Sequence, residues 1–106
     1  MYILTSGNVW VHNYFMKQII LFDRKQIRRL WNEDKEKWFF SVVDIIAALT
    51  GSATPKRYWS DLKQKLIKEG SEVYEKIVQL KLVAADGKMR ETDVADTETL
   101  FRLIQF

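Results

Sequence analysis

The stretch from Ser41 to Gly70 constrains this chain more than any other, because it holds two helix starts, two helix stops and two opposite surface characters. Ser41 followed three residues later by Asp44 is an S-x-x-D capping pattern, in which hydroxyl and carboxylate satisfy N–H groups that a helix start leaves unpaired. Val42, Ile45, Ile46 and Leu49 follow the i, i+3, i+4, i+7 rule of one buried stripe. Val43, Ala47 and Ala48 make the remainder nearly apolar, so this helix should be buried on most sides. Gly51 suits a left-handed C-terminal cap. A second helix starts at Thr54, the expected N-cap, with Pro55 at the first helical position, where its missing N–H matters least. Trp59, Leu62 and Leu66 line one face with Tyr58 on its flank. At about 100° per residue, Arg57, Ser60, Asp61, Gln64 and Lys68 fall on the opposite face. Lys56, Lys63 and Lys65 sit at its borders, and Gly70 ends it.

A buried helix, a tight turn and an exposed basic helix make the layout of a helix-turn-helix, whose second helix enters the major groove by its N-terminal end. The same layout also serves αα-hairpins with a solvated basic face that bind nothing, and the residues alone leave both readings open. The charge balance is informative mainly where it is local. The whole chain of 106 residues carries a net charge of only +3, which permits a nucleic-acid partner without demanding one. From Ser52 to Lys68, however, Lys56, Arg57, Lys63, Lys65 and Lys68 face Asp61 alone. The length reads as one domain, and with 47% hydrophobic residues the chain can bury a real core. The absence of cysteine removes disulfides and thiolate metal sites and fits a reducing cytosol.

The flanking segments read as β structure and a final helix. Met1 to Met16 carries no charged side chain. It lacks the basic start of a signal peptide and is too short and too interrupted by polar residues for a transmembrane helix. Met16 is a second possible start, so residues 1–15, including His12, are expected to be an extension outside the domain. Ile19 to Phe22 can begin a strand. Gln26–Trp31 and Lys37–Ser41 flank the polar link 32–36 and predict a hairpin, with Trp31, Trp38, Phe39 and Phe40 in core or cross-strand packing. Ser71 to Lys76 reads as a polar link. Ile77–Val83 alternates through Val78, Leu80 and Leu82, and Asp86-Gly87 is a strong hairpin signal with Met89–Val94 as the returning strand. A hairpin after a helix-turn-helix has the form of a wing, with Lys88 and Arg90 near its tip. Those two cations could touch phosphates, but for two isolated cations the sequence favours solvated turn residues. Asp96 can cap a helix through Thr97-Glu98-Thr99, with Leu100, Leu103 and Ile104 as its stripe. The stop at Phe106, little more than two turns later and without a C-cap, reads as a cut.

The order of these pieces resembles the Bro-N domain, the N-terminal module of phage antirepressors, baculovirus repeated-ORF proteins and DNA-damage-inducible protein D-like bacterial proteins. The matching phrases are Trp38-Phe39-Phe40-Ser41-Val42-Val43-Asp44, Tyr58-Trp59-Ser60-Asp61-Leu62-Lys63, Gln79-Leu80-Lys81-Leu82, Ala85-Asp86-Gly87-Lys88 and Thr92-Asp93-Val94-Ala95-Asp96-Thr97-Glu98-Thr99-Leu100. The last is long and unusual. The resemblance covers about Lys17 to Gln105. It implies a DNA-binding module, residues 16–106, usually followed by a separate C-terminal effector domain. Phage members are regulators that relieve repression or control lytic genes. The family's domain continues past Ile104-Gln105 into a loop and a further helix, which this sequence lacks.

The expected fold is therefore α+β: an N-terminal β-hairpin, a helix-turn-helix-like pair, a β-hairpin wing and a truncated C-terminal helix. The expected partner is double-stranded DNA, in a bacterial cytoplasm or nucleoid, with no membrane and no cofactor. A phage repressor is the alternative partner. Arg57 matches guanine and Gln64 matches adenine in the major groove. Lys56, Lys63, Lys65 and Lys68 are expected on phosphates, which position a helix without reading sequence. Thr54, Ser60, Lys88 and Arg90 complete the expected site. No H-E-x-x-H, P-loop or glycine-rich phosphate loop occurs, so no enzyme is expected. Asp93 and Asp96 could be offered as a metal or acid–base pair, but turn formation and helix capping explain them more simply.

Overall fold

The protein's structure, a computed structural model, describes residues 27–105. The expected extension over residues 1–15, with His12, and the apolar run Ile19–Phe22 lie outside the described residues. Two strands open the described fold, β1 (Arg29–Asn32) and β2 (Lys37–Ser41), paired antiparallel with Trp31 opposite Trp38. Asn32 belongs to the strand, opposite Lys37, and its Oδ1 accepts from the Lys35 N–H at 2.8 Å. The link is therefore 33–36, one residue shorter than expected.

Ser41 ends β2 and at once caps the helix α1 (Val42–Thr50), so strand passes into helix with no linker. Its hydroxyl accepts from the Asp44 N–H at 3.3 Å, as the capping pattern predicts. The reciprocal half of that pattern does not form. The Ser41 N–H donates to the Arg28 carbonyl at 2.9 Å. The Asp44 carboxylate instead accepts from the Arg28 N–H at 2.9 Å, Nε at 2.7 Å and Nη2 at 3.1 Å. Arg28 Nη1 also donates to the Val83 carbonyl at 3.0 Å. One arginine thus clasps the strand–helix junction to the far end of the second hairpin, because a planar guanidinium offers donors in several directions at once.

Gly51 closes α1 in the left-handed conformation, φ 66°, with its N–H on Ala47. The helix α2 (Pro55–Lys68) follows and ends in a Schellman arrangement, with Gly70 at φ 66° and the Ser71 N–H donating to Leu66 at 3.0 Å. The expected polar link after it contains a one-turn helix, α3 (Glu72–Glu75). Ser71 caps it through the Val73 N–H, and Val73 is buried. A single buried residue in one turn shows no periodicity, so sequence pattern cannot reveal it. The strands β3 (Val78–Val83) and β4 (Met89–Ala95) pair around the expected Asp-Gly turn, and α4 (Thr97–Ile104) ends the described chain. Asp96 caps α4, its Oδ1 accepting from the Thr99 N–H at 2.9 Å.

Phe40 and Ser41 pair with Ala95 and Val94, which joins both hairpins into one antiparallel sheet of order β1-β2-β4-β3. The fold is the expected α+β combination, with the second hairpin continuing the main sheet. Successive strand residues face opposite sides. Phe40 and Ala95 therefore join the helices in a core with Val42, Ile45, Trp59, Leu66 and Leu100, while Phe39, Leu82 and Val94 form a second apolar cluster. Among the described residues no helix is long and apolar enough to cross a membrane.

Candidate nucleic-acid interface

Trp59 and Leu66 hold α2 against the core at 3% and 0% exposure. Burying side chains of this size is worth about 1.5–3 kcal/mol each, so this is the side that sets how the helix lies. Arg57, Ser60, Gln64 and Lys68 all face solvent, as does Asp61 among them. At about 100° per residue, Arg57, Gln64 and Lys68 fall within about 40° of one another on the outward side. The face so formed presents a cation, an amide and a second cation to solvent, with Asp61 beside them. Lys56 and Lys65 are exposed on the two borders.

Three of the expected contact residues have surroundings that sequence spacing does not show. Thr54 occupies the N-cap position, but its side chain makes no capping hydrogen bond. Its carbonyl accepts from the Tyr58 N–H at 3.0 Å, and its exposed hydroxyl points to no helix donor. The turn before it is instead braced by Ser52, whose hydroxyl accepts from the Thr54 N–H at 3.0 Å. Lys63, expected on a phosphate, is only partly exposed and lies over the Trp59 ring at 5.6 Å. Its Nζ is paired with Asp93 Oδ2 at 2.9 Å. Arg90, expected at the wing tip, is paired with Asp86 four residues earlier, while Lys88 of the same turn is exposed.

Asp93 is the residue that sequence pattern places least well. Neither capping nor a turn accounts for it. It lies in β4 opposite Gln79 and accepts from Trp59 Nε1 at 2.7 Å, Lys63 Nζ at 2.9 Å and Gln79 Nε2 at 3.1 Å. Burial pushes its carboxyl up, but the bonds from Trp59, Lys63 and Gln79 and the Lys63 charge outweigh that and hold it below the usual carboxylate range. Asp96 is explained by capping, as expected, and also pairs with Lys37 at 3.0 Å. Burial opposes its ionisation too, and the Thr99 and Lys37 bonds again bring the net shift downward. The two carboxylates are thus committed to different partners. Among the described residues no group of three or more histidines, cysteines or acids is arranged to hold a metal. The one signal for Asp93 in the sequence is Trp59 and Lys63 one turn apart, a stacked pair with two donors on the same flank.

Two further features frame the site. An apolar cavity of about 190 Å³ lies between α1, α2 and α4, walled by Ile46, Leu49, Tyr58, Leu62, Leu103 and Ile104. That is smaller than the ~300–1,000 Å³ usual for small-molecule sites. On the β1–β2 hairpin, Trp31 and Trp38 pack edge to face with centroids 5.5 Å apart. The expected cross-strand packing is present, yet the two rings remain 41% and 45% exposed, beyond the end of the core. Compared with protein-family models, curated proteins and solved structures, the chain matches none, and the resemblance to Bro-N rests on its sequence phrases alone.

Proposed function

We propose that the chain is a double-stranded DNA-binding module of a phage or prophage antirepressor-type transcriptional regulator, acting in the bacterial cytoplasm and performing no catalysis. The observation that carries this reading is the outward face of α2, where Arg57, Gln64 and Lys68 are exposed while Trp59 and Leu66 anchor the opposite side. Arg57 and Gln64 read bases, and Lys56, Lys65, Lys68 and Lys88 meet phosphates. The Bro-N resemblance supplies the regulatory context, since modules of that family are usually followed by a separate C-terminal effector domain.

The test is duplex affinity against salt. With roughly four phosphate contacts at a slope of about 0.9 each, affinity falls roughly 150-fold between about 50 and 200 mM salt. Salt-insensitive or undetectable duplex binding by the intact chain overturns the reading.

The exposed Trp31–Trp38 pair beside exposed Leu30 favours a second reading, a module that docks on a phage repressor or another regulatory protein. Exposed aromatic clusters are common at protein interfaces. Capture of a repressor that survives nuclease treatment, with no duplex shift, would select this alternative.

A further inference from the structure

We propose that Asp93 is a positioning residue that sets the roll of α2 and withholds Lys63 from DNA, so that the helix presents Arg57, Gln64 and Lys68 and not its Lys63 flank. The inference rests on the DNA-binding reading above and names how that site is held.

Three side chains from two elements converge on this one carboxylate. Trp59 and Lys63 both donate to Oδ2, and Gln79 donates to Oδ1 from the neighbouring strand. The Asp93 side chain is 12% exposed, so little water competes for its lone pairs. Trp59 and Lys63 are one helical turn apart on the same flank of α2. Two directional contacts along the axis resist rolling in a way that the apolar Trp59–Leu66 packing does not, because hydrogen bonds weaken steeply with angle while apolar contact is non-directional. The roll matters at the other side of the helix. With side chains, a helix has a radius of ~5–6 Å, so a roll of about 20° moves a group on its far face by about 2 Å. That is enough to lose a bidentate contact to a base edge. Gln79 holds the second oxygen and fixes the carboxylate on β4, so the latch refers α2 to the same hairpin that carries Lys88.

The charge consequence is separate and equally specific. The Lys63 ammonium is spent on Asp93 and on the Trp59 ring. The Lys63 ammonium lies 2.9 Å from Asp93 Oδ2, whereas Lys56 and Lys68 are exposed. It therefore contributes nothing to counterion release, although the sequence presents it as an equal of Lys56 and Lys68.

The experiment uses the intact chain with Lys63→Met, Asp93→Asn and Lys68→Ala variants. Two fluorescent duplex probes serve, one of random sequence and one selected by the unsubstituted chain from a random pool. Lys63→Met should leave the salt slope unchanged, whereas Lys68→Ala flattens it by about 0.9. Asp93→Asn frees Lys63 and should steepen the slope by a similar amount, about 0.9. It should also cut the preference for the selected duplex by about tenfold, as a misplaced base-reading pair does. A merely stabilising role would lower the melting temperature and move neither slope nor preference. A flattened slope in Lys63→Met, equal to that of Lys68→Ala, overturns the inference, as does an Asp93→Asn chain that melts cooperatively and keeps the original slope and preference. Should Asp93→Asn not fold, the Lys63→Met slope decides alone. An unsubstituted chain that binds neither probe overturns the DNA reading and this inference with it, whereas binding with the wrong variant pattern overturns this inference only.

Discussion

The two flanks of α2 carry similar residues and do opposite things. On the outer face, Arg57, Gln64 and Lys68 are exposed. On the inner flank, Lys63 is tied to Asp93 and stacked on Trp59. The second hairpin repeats the contrast within one turn, where Lys88 is exposed and Arg90 is held by Asp86. A cation in the sequence is therefore not yet a cation available to a ligand. Availability depends on whether a carboxylate from another element arrives beside it, and sequence distance does not report that. Thirty residues separate Lys63 from its acid, and four separate Arg90 from its own.

The largest effect should come from the anchoring side. Trp59→Ala or Leu66→Ala should destabilise the fold by about 3–5 and about 2–5 kcal/mol respectively, the range for emptying a buried site. Arg57→Ala and Gln64→Ala should change stability by less than about 0.5 kcal/mol, as exposed positions do. Chemical denaturation of the four variants checks both halves. Comparable losses on the two sides would erase the contrast.

Next in size is the separation of roles on the outer face. Arg57→Ala should weaken binding to the selected duplex by about 1–3 kcal/mol and relax sequence preference at one position. Lys68→Ala should weaken all duplexes alike. Competition binding against a panel of single-base variants distinguishes them, and identical behaviour of the two variants would undo the assignment.

The smallest effect concerns acid. The Asp93 and Asp96 carboxyls are both held below the usual range in the folded chain. Each therefore binds protons less readily folded than unfolded, and its stabilisation is fully present above the ordinary unfolded value of ~3.9. That contribution is lost as pH falls through this value toward the lower folded one. Asp93→Asn and Asp96→Asn should each make the melting temperature less dependent on pH in that acid window. Unchanged acid limbs would show that the two bonding sets carry no net stabilisation.

Much of this architecture is legible in the residues, for a local reason. Ser41, Gly51, Gly70 and Asp96 mark helix ends through bonds to their own neighbours, and Asp86-Gly87 marks a turn in the same way. The stripe Val42, Ile45, Ile46 and Leu49 announces burial through spacing alone. What escaped is non-local. Arg28 lies sixteen residues from Asp44 and clasps the Ser41 junction across that gap. The joining of the hairpins rests on two residue pairs, Phe40–Ala95 and Ser41–Val94, which no turn signal encodes. Asp93, three residues before Asp96, is held by no turn, because its partners arrive from α2 and β3. Opposite strand faces separate the two acids, since residues three apart on and beyond a strand do not share one side.

The outward face of α2 is the surface proposed to meet DNA. Backbone amide shifts of the intact chain, followed as a random-sequence duplex is added, test this most directly. The expected result is change concentrated over residues 54–68 and at the Asp86–Lys88 turn, fading as salt is raised, with Trp31 and Trp38 unmoved. Change centred on the Trp31–Trp38 pair with α2 silent would contradict it.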